Sequence, residues 1–115
     1  MECTIYKTAN FIGKRWTLLI LLELFKNPGV KRYSEIKSKL AITPKILSLR
    51  LKELEKEGMI NKKIDTSKFP IKCEYSLTKS GEDFIKIIKD MKKWALKWKF
   101  KNIACEKMDC RNCRL

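Results

Sequence analysis

Between Lys14 and Phe25 the chain carries Trp16, Leu18, Leu19, Ile20, Leu21, Leu22, Leu24 and Phe25. Wound at 100° per residue, these leave almost no polar face. Such a helix has to be surrounded, either by the rest of a core or by another subunit. A chain of 115 residues builds one core and no second catalytic domain, so the other elements are expected to be amphipathic layers around this helix. The 44% hydrophobic residues suffice to fill that core, and 35% charged residues with four Gly and three Pro argue against disorder or a fibre. The expected fold class is α+β, mostly α.

The flanking segments fix the element order. Ile5, Ala9 and Ile12 recur at helical spacing from Thr4 until Gly13 ends the run, which predicts a short first helix. Asn27-Pro28-Gly29 stops the apolar segment, and Val30 to Arg32 has room for a very short strand. Ser34 reads as an N-cap, its hydroxyl placed to accept a free amide, with Ile36 and Leu40 on one face of a helix from Glu35 to Leu40. After Ala41-Ile42, Thr43 reads as a second N-cap, followed by Pro44 at the first helical position, where its missing N–H costs nothing. That helix runs to Glu57 and ends at Gly58, which takes the left-handed conformation of a C-terminal cap. Two helices joined by so short a turn form a helix-turn-helix. Ile60 to Asp65 and Ile71 to Leu77 then flank Thr66-Ser67-Lys68-Phe69-Pro70 as a hairpin with a basic tip. Its second arm alternates Ile71, Cys73, Tyr75 and Leu77 on a packed face with Lys72, Glu74 and Ser76 on a wet one. Thr78 caps a long last helix with an apolar stripe of Phe84, Ile87, Ile88, Met91, Trp94, Ala95 and Trp98. The expected organisation is a winged helix-turn-helix domain over residues 1–101, with a two-stranded wing and terminal dimerisation helices, and a cysteine-containing C-terminal tail over 102–115.

Several segments carry a resemblance. They are Ile12-Gly13-Lys14-Arg15-Trp16-Thr17-Leu18-Leu19-Ile20-Leu21, Arg32-Tyr33-Ser34-Glu35-Ile36, Thr43 to Glu55, Gly58-Met59-Ile60, Pro70, and Glu74 to Gly81, with Cys3 ahead of them. In this order the chain resembles the HxlR-type transcriptional regulators, winged-helix proteins related to the MarR type, over about residues 3–99. The resemblance implies a DNA-binding regulator that forms a homodimer through its terminal helices. Members of that family often sense oxidants or electrophiles through an N-terminal cysteine, so the matching Cys3 is a candidate redox sensor. Lys14 departs from the pattern, standing where the family usually has a second Gly, and the tail after Lys101 lies outside it.

On the helix from Thr43, Leu47, Leu51 and Leu54 fall within about 60° of one another and form the buried stripe. The opposite face carries Lys45, Ser48, Leu49, Lys52 and Lys56. Residues in the first two turns of a recognition helix reach base edges in the major groove, so Lys45, Ser48, Leu49 and Lys52 are the candidate base readers, with Thr43 at the helix start. Arg50, on the flank, has two open readings: a phosphate contact, or an ion pair with Glu53 or Glu55. Lys62, Lys63 and Lys68 of the hairpin are candidates for phosphate or minor-groove contacts, and Arg32 and Ser34 for holding a phosphate with nearby free amides.

Charge agrees with this reading. Twenty-seven Lys and Arg against thirteen Asp and Glu give +14, spread over both halves of the chain, which favours a polyanionic partner such as double-stranded DNA. A non-specific architectural nucleic-acid binder would show the same charge. The last helix, with lysines flanking Trp94 and Trp98, reads either as a membrane-surface amphipath or, preferably, as a face buried against a partner helix. The complete absence of His removes Ser/His/Asp hydrolases, Cys/His proteases and imidazole acid–base chemistry, and an enzyme is not expected. No apolar run is long enough to span a membrane, and the first residues lack a secretory signal, so the expected location is cytoplasmic.

The five cysteines are an odd number, so a closed framework of disulfides cannot account for all of them, and a reducing compartment keeps thiols free for metal or redox work. No cofactor is required by this reading. Cys105, Cys110 and Cys113 nevertheless have the spacing of three ligands of a zinc or iron–sulfur site, with a fourth ligand missing, which keeps open a small cysteine-liganded redox protein. A reversible disulfide and inert thiols are the other readings of the tail. Cys73 reads as a small core residue.

Overall fold

The computed structural model describes residues 2–67 and 69–113. The helices are α1 (Thr4–Ile12), α2 (Thr17–Phe25), α3 (Tyr33–Leu40), α4 (Pro44–Lys56), α5 (Lys79–Trp98) and α6 (Ile103–Lys107), and the strands are β1 (Val30–Arg32), β2 (Ile60–Asp65) and β3 (Lys72–Leu77). The expected element order holds. The short strand pairs with β3, which makes a three-stranded antiparallel sheet in the order β1-β3-β2. Lys31 faces Tyr75 across one ladder, and Ile60 faces Leu77 across the other.

The all-round apolar helix is the hub. Ile20, Leu21 and Leu24 of α2 are at most 1% exposed and pack with Ile36 of α3, Leu47, Leu51 and Leu54 of α4, Ile60 and Tyr75 of the sheet, and Ile85 and Ile88 of α5. The helix starts later than its apolar pattern suggests, at Thr17, because Lys14 to Trp16 form a turn with Trp16 in the left-handed region at φ 80. That conformation is costly for a bulky residue.

Two glycines are dictated by geometry. Gly58 follows α4 at φ 74, and Gly81 in the first turn of α5 is pressed against the chain near the hairpin, so that a Cβ there would lie 2.2 Å from the Met59 carbonyl oxygen. Thr78 caps α5 as expected, accepting from the Gly81 amide at 3.2 Å.

Other expectations are corrected. Ser34 is not the N-cap of α3. The helix begins at Tyr33, and the Arg32 backbone N–H donates to Glu35 Oε1 at 3.0 Å, so the reach-back comes from the glutamate. Ile71 does not pack: β3 starts at Lys72, and Ile71, Ile64 and Phe69 are exposed because the hairpin extends past the edge of the core. On α5 the stripe divides. Ile85 and Ile88 face the core, while Ile87, Met91, Trp94 and Trp98 are exposed, Trp98 by 65%. No helix among the described residues is long and apolar enough to cross a membrane.

The chain after α5 folds back on the domain. Lys92 Nζ donates to the Met108 carbonyl at 2.8 Å, the Asn27 amide donates to the Arg111 carbonyl at 3.0 Å, and the Arg111 guanidinium lies 4.6 Å over the Phe25 ring. A buried polar cluster also lies behind β1. Glu23, Lys26 and Lys31 are all under 9% exposed, with Lys31 Nζ donating to the Lys26 carbonyl at 2.7 Å and burial lowering the Lys31 ammonium from its ordinary value.

Candidate nucleic-acid interface

Helix α4 is placed by its leucines. Thr43 is extended (φ −68, ψ 148), Pro44 takes the first helical position, and Leu47, Leu51 and Leu54 anchor one side in the core. Thr43 is the N-cap residue by position, but its exposed side chain makes no capping hydrogen bond. On the other side Lys45, Leu49, Lys52 and Lys56 are exposed, with Leu49 at 46%. An exposed leucine between two exposed lysines gives that surface both an apolar and a charged contact.

Ser48 is half-buried, and Tyr33 of α3 orients it. The Tyr33 hydroxyl donates to the Pro44 carbonyl at 3.0 Å and lies 3.2 Å from Ser48 Oγ. Either hydroxyl can be the donor in that second contact, which ties the Ser48 side chain to α3. No pattern on the α4 face itself could have revealed Tyr33, which lies 15 residues away in sequence.

Arg50 resolves to the carboxylate. Its Nη1 donates to Glu53 Oε1 at 2.6 Å and its Nε to the Arg15 carbonyl at 3.2 Å. Lys14 Nζ forms a second ion pair with Glu53. The carboxylate is that of Glu53 and not of Glu55. Burial pushes the Glu53 carboxyl up, but the hydrogen bonds from Lys14 and Arg50 outweigh it and hold the group below its ordinary 4.5. A lowered carboxyl contributes stability that is fully present above the unfolded value and lost as pH falls through the folded one. The melting-temperature difference between the wild type and Glu53→Gln is therefore expected to stay constant between about pH 7 and 5 and to close toward about pH 3. A difference unchanged at the acid end would remove the ion pairs from the account.

Arg32 and Ser34 are exposed at the start of α3, beside the helix-turn-helix, and Lys62 and Lys63 are exposed on β2. Lys68 lies outside the described residues. The start of the wing tip is closed by Asp65, which accepts from the Ser67 amide at 3.0 Å and its hydroxyl at 2.5 Å; these bonds hold the carboxyl below its ordinary value.

Among the described residues no three metal-ligating side chains are gathered. Cys105, Cys110 and Cys113 line one cavity of about 260 Å³, yet Cys105 belongs to α6 and Cys110 Sγ lies 3.8 Å from the Lys92 ammonium, a cation already beside the sulfur. None of the five cysteines is in a disulfide; Cys73 is half-buried in its strand, and Cys3 is exposed at the head of α1.

A three-stranded sheet and a second helix presented by its leucines define a winged helix-turn-helix, the class of helix-turn-helix transcriptional regulators. A family model described as HxlR-like helix-turn-helix matches residues 11–102. The chain belongs to the HxlR-like helix-turn-helix family. It is 38% identical over 93 residues to the uncharacterized HTH-type transcriptional regulator YvaP of Bacillus subtilis, covering 80% of this chain and 83% of that one. Among solved structures, the reduced form of the transcriptional regulator YodB from B. subtilis superposes with a TM-score of 0.73 at 32% identity, over 89% of this chain and 99% of YodB. The redox regulator HypR in its oxidized form does so with 0.69 at 31% identity, over 85% and 99%.

Proposed function

We propose that the protein is a cytoplasmic, homodimeric regulator of transcription that reads double-stranded DNA through α4. The observation that carries this is the outward side of α4, where Lys45, Leu49 and Lys52 stand exposed directly opposite three buried leucines. Lys45 and Lys52 suit guanine O6 and N7, Leu49 a thymine methyl, and Ser48 an adenine or cytosine amino group. Thr43 at the helix start, Lys62 and Lys63 on the wing, with Lys68 beyond them, and Arg32 and Ser34 suit the flanking phosphates. Selection of bound duplexes from a random pool tests the reading. A regulator recovers a motif bound roughly 10³ to 10⁷ times more tightly than unrelated DNA; recovery of unselected sequence would identify an architectural binder instead.

The dimer is supported by the apolar face that the single chain leaves uncovered. Ile5 and Tyr6 of α1 and Met91, Trp94 and Trp98 of α5 are about half exposed or more, beyond what a monomer ordinarily leaves wet. Two-fold pairing through this face would also set two recognition helices about 34–36 Å apart, one turn of the duplex. Trp94→Glu is expected to convert the dimer to a monomer in sedimentation and to weaken operator binding by about a hundredfold or more, since a second half-site no longer contributes. A stable dimer of the variant would place the interface elsewhere.

Thiol responsiveness through Cys3 is supported by its exposure at the head of α1 and by the likeness to HypR. Operator affinity that is identical with and without diamide removes that input.

A further inference from the structure

One cluster of charges joins the turn between α1 and α2 to the middle of α4. Glu53, with a side chain 27% exposed, stands beside the exposed Lys52 and receives both Lys14 and Arg50. Arg50 in turn holds the Arg15 carbonyl. Two residues of α4 thus grip adjacent residues of the turn, one by its side chain and one by its backbone. The turn is itself fixed, because Trp16 is left-handed and the Arg15 guanidinium lies 5.0 Å over its ring, and it leads straight into the buried α2.

The leucine stripe under α4 resists separation of the helix from the core but resists rolling about its own axis less well, since apolar contacts are non-directional. A roll of about 20° moves side-chain tips lying about 6 Å from the axis by about 2 Å, more than a hydrogen bond tolerates. A charged tether on the flank opposes that roll. Resting on the reading of α4 as the groove-entering helix, we infer that Glu53 is a positioning residue for sequence discrimination. It withdraws Lys14 and Arg50 from the phosphate-binding surface and uses them to fix the roll of the recognition helix. Lys14 is one arm of this clamp.

The test compares wild type, Glu53→Gln and Lys14→Met on a selected duplex and on its scrambled counterpart across a salt series. Glu53→Gln is expected to lose about tenfold in affinity for the selected duplex while holding or gaining affinity for the scrambled one. Its salt slope on scrambled DNA should steepen by about 0.9 for each freed cation that meets a phosphate. Lys14→Met should lose less discrimination, with no steepening, because its cation is deleted rather than released. A merely structural role would lower both affinities in proportion and leave the slope alone. That result, or an unchanged ratio of affinities in well-folded Glu53→Gln, overturns the clamp. If Glu53→Gln does not fold, an unchanged ratio in Lys14→Met overturns it. A wild-type chain that cannot tell the two duplexes apart overturns the DNA-reading proposal and the clamp together, so the two failures are distinguishable.

Discussion

Replacing Lys45 and Lys52 together by Glu is expected to lower affinity for the selected operator by at least about a thousandfold while leaving the far-ultraviolet circular dichroism unchanged. Both side chains are exposed on the face of α4 opposite its buried leucines, so the fold does not use them. A base contact is worth about 1–3 kcal/mol, and in the proposed dimer each duplex would meet two recognition helices. Losing four such contacts, about 4–12 kcal/mol in all, meets or exceeds the roughly 4 kcal/mol that a thousandfold change requires. The four carboxylates introduced would add repulsion from the phosphates. Retention of affinity within about threefold would mean that another surface meets the DNA.

Leu47→Ala is expected to act in the opposite way, through the fold and not through the surface. Leu47 is fully buried where α4 crosses the core with Ile20, Leu21 and Ile36 as fellow members of the cluster. Truncating a buried leucine costs about 2–5 kcal/mol, from lost transfer energy and the cavity left behind. For a domain of this size that lowers the melting temperature by roughly 8–20 °C. Operator affinity measured well below the new transition should stay close to wild type. A drop of less than about 3 °C would indicate that neighbouring side chains collapse into the space.

These two residue sets separate the functions of one helix, and the separation was legible in sequence because it depends only on period. Leucines at 47, 51 and 54 specify one side, so Lys45, Leu49 and Lys52 must take the other. Thr43-Pro44 and Gly58 marked its ends for similarly local reasons. The long α5 was less legible. Phe84, Ile87, Ile88, Met91, Trp94 and Trp98 form one stripe by spacing, but only Ile88 of these is buried, with Ile85 beside it. Helical spacing identifies an apolar side without saying how far the rest of the chain reaches along it.

Ser34 shows the same limit at short range. Its hydroxyl suits an N-cap, yet Glu35 reaches back to the Arg32 amide and the helix starts earlier. The tail shows it at long range, where spacing says nothing of Lys92 and the fold sets its ammonium 3.8 Å from Cys110 Sγ.

The sequence by itself determined the element order, the one helix that had to be enclosed, the inward and outward sides of α4, and the sign of the partner's charge, because each depends on local period, capping chemistry or composition. Only the tertiary structure decided that Arg50 pairs with Glu53, that Tyr33 meets Ser48, that Lys14 reaches α4, and that Glu23, Lys26 and Lys31 lie buried together. Each of these pairings depends on where a side chain several turns or a whole element away comes to rest, a distance that spacing along one element does not encode.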